Sequence, residues 1–280
     1  MCKWCEQYGA DGGKWFLNPA NYARRLYRVR REEVPGAEPT KAPGGQGGSS
    51  MGGAYMDEII ATRDTDPVAW KQWLARGEEV DQSSHFGQIV TLEETLQILD
   101  MAYPIAKMTC NCRRCGRGLE DDDNFTCIGI GPGMYKWERW PAAYQGGVEF
   151  LDPDQSKEYL RFLDKRGLVH TIETFGTPYI GGLCQCDLPD CGLLRIRLEY
   201  GKQMLFKGHN VALIDYEKCN GCSACIKRCQ FTAMRMEPTM DKANVDLFKC
   251  FGCGLCATGC PVDAIQMIDR TKLPALANVW

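Results

Sequence analysis

Apolar and polar residues follow helical and strand periods in the middle of the chain, over residues 56–209. A capping box opens at Thr91, and an apolar face with helical spacing follows it. A second helix is predicted to begin after Asp152 and to end at Gly167. A short strand is predicted over residues 169–175. Small helices beside short strands predict a compact α+β domain.

The same pattern divides the rest of the chain into four further segments. Residues 1–33 form an arm rich in cysteine, aromatic and basic residues, and residues 34–55 form a glycine- and proline-rich linker. Residues 210–270 contain two copies of strand, loop, short helix and strand, and residues 271–280 form a tail. We expect the basic helical face of the arm to dock on its own domain or on an acidic partner subunit.

Charge and composition narrow the class of protein. The formal charge of −3 argues against a general nucleic-acid surface, and no apolar run has the ~18 residues that a membrane span requires. Seventeen cysteines is an odd number, so they cannot all form disulfides, and no secretory signal precedes them. These features predict a soluble protein of the cytoplasm, in an organism that keeps iron–sulfur proteins reduced.

Two copies of one cysteine ladder, 31 residues apart, carry the clearest chemistry. They are Cys219-x2-Cys222-x2-Cys225-x3-Cys229 and Cys250-x2-Cys253-x2-Cys256-x3-Cys260. This spacing suits two four-iron four-sulfur (4Fe-4S) clusters, in which the last cysteine of each ladder ligates the other cluster. We therefore predict one cluster on Cys219, Cys222, Cys225 and Cys260, and a second on Cys250, Cys253, Cys256 and Cys229.

The ladders and their flanks resemble the bacterial-type dicluster ferredoxins over residues 210–270. The resemblance implies a ferredoxin-like α+β fold with pseudo-two-fold symmetry, two 4Fe-4S clusters and an electron-transfer role. The family has proline after each fourth cysteine; Pro261 fits this pattern and Gln230 departs from it. The Gln230 N–H could hydrogen-bond a cluster sulfur and raise the potential. A zinc ribbon is the alternative, but its two CxxC pairs usually lie about 15 to 20 residues apart.

Nine cysteines lie outside the ladders and also cluster. They are Cys2 and Cys5; Cys110, Cys112, Cys115 and Cys127; and Cys184, Cys186 and Cys191. Their basic or glycine-rich loops suit thiolates and metal ligation better than inert burial. A third site, holding either a further 4Fe-4S cluster or zinc, is therefore predicted in the middle domain.

The middle region also resembles a group of anaerobic ferredoxin-fusion proteins. The matching residues are Cys110-Asn111-Cys112-Arg113, Cys127-Ile128-Gly129, Gly167-Leu168-Val169-His170-Thr171 and Gly182-Leu183-Cys184-Gln185-Cys186. The resemblance implies an additional metal centre without fixing its ligands. Our preferred set is Cys110, Cys127, Cys184 and Cys186, with Cys112, Cys115 and Cys191 as competitors. If Cys2 and Cys5 fold back, two sites are possible by count.

The whole sequence predicts an electron-transfer protein with no catalytic residue of its own. Its partner would be a catalytic oxidoreductase subunit or a soluble electron carrier of anaerobic metabolism, in a hetero-oligomeric complex. Two alternatives stay open. The middle site could be an open-site cluster that makes the chain a redox enzyme, or it could be a structural zinc site.

Overall fold

The computed structural model describes most of the predicted α+β and ferredoxin-like segments. The described residues are 3–9, 13–19, 21–22, 65–72, 86–110, 112–113, 125–131, 147–174, 180–199, 201 and 203–280. The predicted linker, Cys2 and Cys115 lie outside them, as does the basic stretch of the arm after Tyr22.

A mixed sheet of seven strands lies at the centre of the described part. Its strands are β1 (Gly87–Ile89), β2 (Ile105–Met108), β3 (Cys127–Ile130), β4 (Val148–Leu151), β5 (Val169–Glu173), β6 (Gly182–Cys186) and β7 (Leu205–Phe206). They run in the order β4-β2-β3-β6-β5-β1-β7, and all neighbours are antiparallel except β1 and β7. Strand β5 confirms the strand predicted at 169–175, and all five of its residues are buried.

Helices pack on both faces of this sheet: residues of the first three share an apolar cluster with Ile128 and Ile172, and residues of the fourth share one with Ile89 and Val169 on the opposite face. Helix α1 (Lys3–Tyr8) is followed along the chain by α2 (Leu92–Met101), α3 (Pro153–Lys165) and α4 (Gly192–Leu198). The capping box at Thr91 is confirmed, and Asp152 caps α3 in the same way. Gly167 follows the end of α3 with a left-handed φ of 88°, as predicted for a helix C-terminus.

The start of the N-terminal arm belongs to the core of this domain. Trp4, Trp15 and Phe16 are buried in one apolar cluster with the inward leucines of α3, Leu160 and Leu163. The Trp15 indole N–H donates to the Gln88 side chain on β1 at 2.7 Å. This part of the arm therefore packs on its own chain.

Two small two-stranded sheets and two short helices form the carboxy-terminal part. The elements are β8 (Asn210–Ile214), α5 (Ala224–Arg228), β9 (Met234–Glu237), β10 (Lys242–Val245), α6 (Leu255–Thr258) and β11 (Ile265–Asp269). Each half has the predicted order of strand, loop, helix and strand. Strand β8 pairs with β11, while β9 pairs with β10, so the ends of the two halves join.

Candidate metal centres

Two cavities in the carboxy-terminal part are each lined by four ladder cysteines. The first nest is lined by Cys219, Cys222, Cys225 and Cys260. The second nest is lined by Cys250, Cys253, Cys256 and Cys229. Each nest takes three cysteines from one ladder and the last cysteine from the other, which is the grouping that the ladder spacing predicts.

The two ladder loops have the same backbone shape. Gly221 and Gly252 have φ of 73° and 78°, and Ser223 and Gly254 have φ of 62° and 82°. A Cβ atom at Gly221 or Gly252 would overlap a main-chain oxygen, that of Asp241 or of Asn210 respectively. Small residues are therefore required where each loop closes around its nest.

The chemistry of the nests fits a bound metal cluster. Burial raises the pKa of Cys253 to about 12, and burial followed by the neighbouring thiols raises the pKa values of Cys256 and Cys225. Without a cation, these thiols stay protonated at neutral pH. Metal binding would deprotonate these cysteines to thiolates and release the protons to solvent, as it does in other metal–thiolate sites.

A family model described as a 4Fe-4S dicluster domain matches residues 212–267. All eight ladder cysteines lie inside this match. The matched domain supports an iron–sulfur electron-transfer role and agrees with two 4Fe-4S clusters. None of the curated proteins matches the chain.

Among the residues that the structure describes, no helix is long and apolar enough to cross a bilayer.

Six cysteines of the middle domain lie close together in a ring. Around the ring the order is Cys110, Cys112, Cys191, Cys186, Cys184 and Cys127, and each thiol shifts the pKa of its two neighbours. The Sγ atoms of Cys127 and Cys184, which face each other across β3 and β6, are 3.8 Å apart. We call this cluster the six-cysteine ring.

The ring brings together more thiols than one four-ligand site needs. It contains the preferred set of the sequence analysis, Cys110, Cys127, Cys184 and Cys186, and also the competitors Cys112 and Cys191. Among the residues that the structure describes, no group of three or more His, Cys, Asp or Glu side chains is arranged to hold a single metal ion. The ligand set therefore stays a prediction.

Two opposite corners of the ring favour thiolates. Hydrogen bonds from Cys112 and Cys127 hold the pKa of Cys110 well below its usual value. Hydrogen bonds from Cys184 and Cys191 likewise lower the pKa of Cys186. Arg113 lies beside these thiols, 5% exposed, and pairs with Asp187.

Cys5 lies apart from the ring, and its part in a metal site stays a prediction. Its Sγ lies 3.1 Å from His209 Nε2, inside the apolar core that contains Trp4 and Trp15. The reason is that the aromatic residues of the arm pack on one another and direct α1 into that core. The sequence analysis did not pair a histidine with this cysteine, because they are 204 positions apart.

The second nest lies between the six-cysteine ring and the first nest. One buried apolar cluster contains Cys186 and Cys191 of the ring together with Cys253 of the second nest. Another contains Cys250 and Cys256 of the second nest together with Cys225 of the first nest, with Cys219 and Cys260 packed against it. Apolar contacts thus connect all three cysteine groups in that order.

Gln230 connects the second nest to the middle domain through its side chain. Its amide donates to the Gly167 main-chain oxygen at 2.7 Å and to that of Cys186 at 3.5 Å. Its side-chain oxygen accepts from the Leu188 main-chain N–H at 2.9 Å. The sequence shows the missing proline at this position but gives no sign of this role, since the three partners lie at least 42 residues away.

Proposed function

We propose that this protein is a one-electron carrier that uses two 4Fe-4S clusters and an additional metal centre. Its partner would be a catalytic oxidoreductase subunit or a soluble electron carrier of anaerobic metabolism, in the cytoplasm and within a hetero-oligomeric complex. The observation that carries the proposal is the lining of each nest by three cysteines of one ladder and one of the other. When bound, each cluster would store and release one electron.

We propose that the chain is divided into the five segments that its sequence predicts. They are the arm (1–33), the linker (34–55), the middle domain (56–209), the ferredoxin-like domain (210–270) and the tail (271–280). Pseudo-two-fold symmetry in the fourth segment is supported by positive φ values that recur 31 residues apart. They occur at Gly221 and Gly252, at Ser223 and Gly254, and at Thr232 and Asp263.

The six-cysteine ring is the proposed site of the additional centre, with a third 4Fe-4S cluster as its occupant. Support comes from the apolar cluster that the ring shares with the second nest, which would extend an electron path into the middle domain. The ring has enough thiols to give four cysteine ligands to a cluster. A cluster with four cysteine ligands has no vacant iron, and this favours a carrier over an open-site redox enzyme.

Zinc is the second candidate for the ring. A tetrahedron with Zn–S bonds of about 2.3 Å has edges of ~3.8 Å. The Cys127–Cys184 separation of 3.8 Å matches this edge. Anaerobically prepared protein with about twelve irons and matching acid-labile sulfide would support three clusters, while about eight irons with zinc would support the second candidate.

The ligand grouping is tested by replacing one crossing cysteine. In Cys260→Ala we expect damage to the cluster of the first nest, whose other ligands lie in the opposite ladder, and we expect the cluster of the second nest to be kept. Low-temperature electron spin resonance and iron content measure this. Cys5→Ala, outside both nests, is the control. Unchanged spectra of both clusters in Cys260→Ala would refute the crossed grouping.

A further inference from the structure

A basic groove lies directly against the second nest. Phe231 and Phe251 line both the nest and the groove, so these two side chains form the wall between them. Their rings stack with centroids 4.3 Å apart and an angle of 10° between the planes. A group seated in the groove would be separated from the cluster position by this aromatic wall.

Two cations of the groove, Arg197 and Lys207, pair with no Asp or Glu side chain among the residues that the structure describes. Arg197 Cζ and Lys207 Nζ lie 5.6 Å and 5.2 Å from the Phe251 ring centroid. Arg197 donates to an oxygen of Trp280, and Lys207 donates to the Phe248 main-chain oxygen. Burial, followed by repulsion from Arg270 and Arg197, lowers the pKa of Lys207 to about 8.

The rim of the groove is exposed and carries a third cation. The side chain of Lys249 is 63% exposed and lies 4.0 Å from Asp246, a separation at which an exposed pair contributes little. Phe248 beside it is 59% exposed. Aromatic residues are enriched at protein-binding surfaces.

We propose that this groove docks the acidic surface of a redox protein that exchanges electrons with the second nest. The proposal rests on the proposed carrier function and names the chemistry of its partner. Phe251 already stacks on Phe231 and carries two cations, so the groove is poorly suited to stacking a small aromatic ligand. Charge complementarity would speed the encounter, as in the small and transient interfaces of electron-transfer proteins.

The ladder repeat supplies a matched control for the test. Lys249 precedes Cys250 and pairs with Asp246, and Lys218 precedes Cys219 and pairs with Asp215 at 3.6 Å. Both lysines are exposed, but only Lys249 lines the groove. Lys249→Glu and Lys218→Glu therefore make the same charge change at equivalent positions of the two halves.

The probe is an oxidised, acidic flavodoxin mixed with the reduced full-length protein. One electron leaves a reduced cluster and reduces the flavin of the probe by one electron. At an ionic strength of about 0.01 M, we expect Lys249→Glu to slow this reaction about tenfold and Lys218→Glu to change it less than about twofold. At about 1 M the difference should disappear, since charges are then screened within about 3 Å. Equal slowing by both variants, or none by Lys249→Glu, would overturn the proposal.

A measurement of binding distinguishes failure of the docking proposal from failure of the carrier function. Titration calorimetry of the flavodoxin against both variants measures docking without electron transfer. If Lys249→Glu but not Lys218→Glu weakened the complex about tenfold, docking in the groove would be supported even if no electron passed. The missing electron transfer would then refute only the carrier function. Lys249→Gln is the milder variant if the glutamate disturbs the neighbouring Cys250.

A basic cytochrome c should react faster with Lys249→Glu, and an unchanged or slower rate would also contradict the proposal.

Discussion

At the scale of single residues, Glu173 is a buried carboxyl group of the middle domain with a raised pKa. It lies on β5, fully buried, and occupies the same sheet face as Thr171, which pairs with Cys184 of the ring. Burial raises the pKa of Glu173 to about 8, against a smaller lowering by the Thr171 hydroxyl. Gly87 on the neighbouring strand leaves room for the carboxyl, since a Cβ there would overlap it.

The raised pKa of Glu173 predicts that the folded state becomes less stable as pH rises. The folded chain holds the Glu173 proton up to about pH 8, whereas the unfolded chain loses it near pH 4.3. Glu173 therefore lowers the stability of the folded state progressively as pH rises through this window, by up to about 1.4 kcal/mol per pH unit. We expect Glu173→Gln to be more stable than the parent at pH 8 and to show a smaller gain at pH 5. Anaerobic denaturant titrations at both pH values measure this, and an equal difference at the two would contradict it.

At the scale of elements, the ladder loops depend on glycine for two separate reasons. Gly252 has φ of 78°, and a Cβ there would also overlap the Asn210 main-chain oxygen of β8. Gly201 has φ of 71°, but a Cβ there would meet no atom within 4 Å. The two positions share the left-handed backbone and differ in the space beside it.

Alanine substitution at these two glycines distinguishes the cost of the left-handed backbone from the cost of overlap between the added Cβ and neighbouring atoms. Gly201→Ala should cost only the ~1 to 2 kcal/mol of a left-handed alanine and keep full iron content. Gly252→Ala must also move β8 or the loop, so we expect loss of the cluster from the second nest. Iron content and thermal unfolding of the two proteins measure this. Full iron content in Gly252→Ala would show that the loop can relax.

Local signals predicted individual elements well but not their arrangement. The capping residues Thr91 and Asp152 mark two helix starts because their contacts lie within three residues. The ladders likewise predicted their loops, since most of each nest comes from eleven consecutive residues. The ring could be predicted only as a set of candidates, because β3, β6 and the start of α4 bring its thiols together from separate parts of the chain. The contact of Cys5 with His209 left no local signal at all.

At the scale of the whole molecule, the carboxy-terminal part is fixed to the middle domain by polar contacts. Arg228 of α5 donates to the main-chain oxygens of Asp164 at 2.7 Å and Lys165 at 3.1 Å, both in α3. Gln230 adds its three contacts beside the ring. Segments that the sequence presents as separate domains therefore share an interface, and Arg228 and Gln230, on either side of Cys229, contribute polar contacts to it.

The ladder repeat allows this interface to be tested at Gln230. Gln230→Leu removes hydrogen bonds to Gly167, Cys186 and Leu188 and leaves partly buried groups without their partner. At about 1 kcal/mol for each bond, we expect a loss of roughly 2 to 4 kcal/mol in the free energy of unfolding. Pro261→Leu, at the equivalent position after Cys260 and exposed, is the matched control and should lower stability less than Gln230→Leu does. Anaerobic thermal unfolding with hydrogen exchange at residues 167 and 188 measures both. Equal stability of the two variants would show that the side chain of Gln230 does not hold the two parts together.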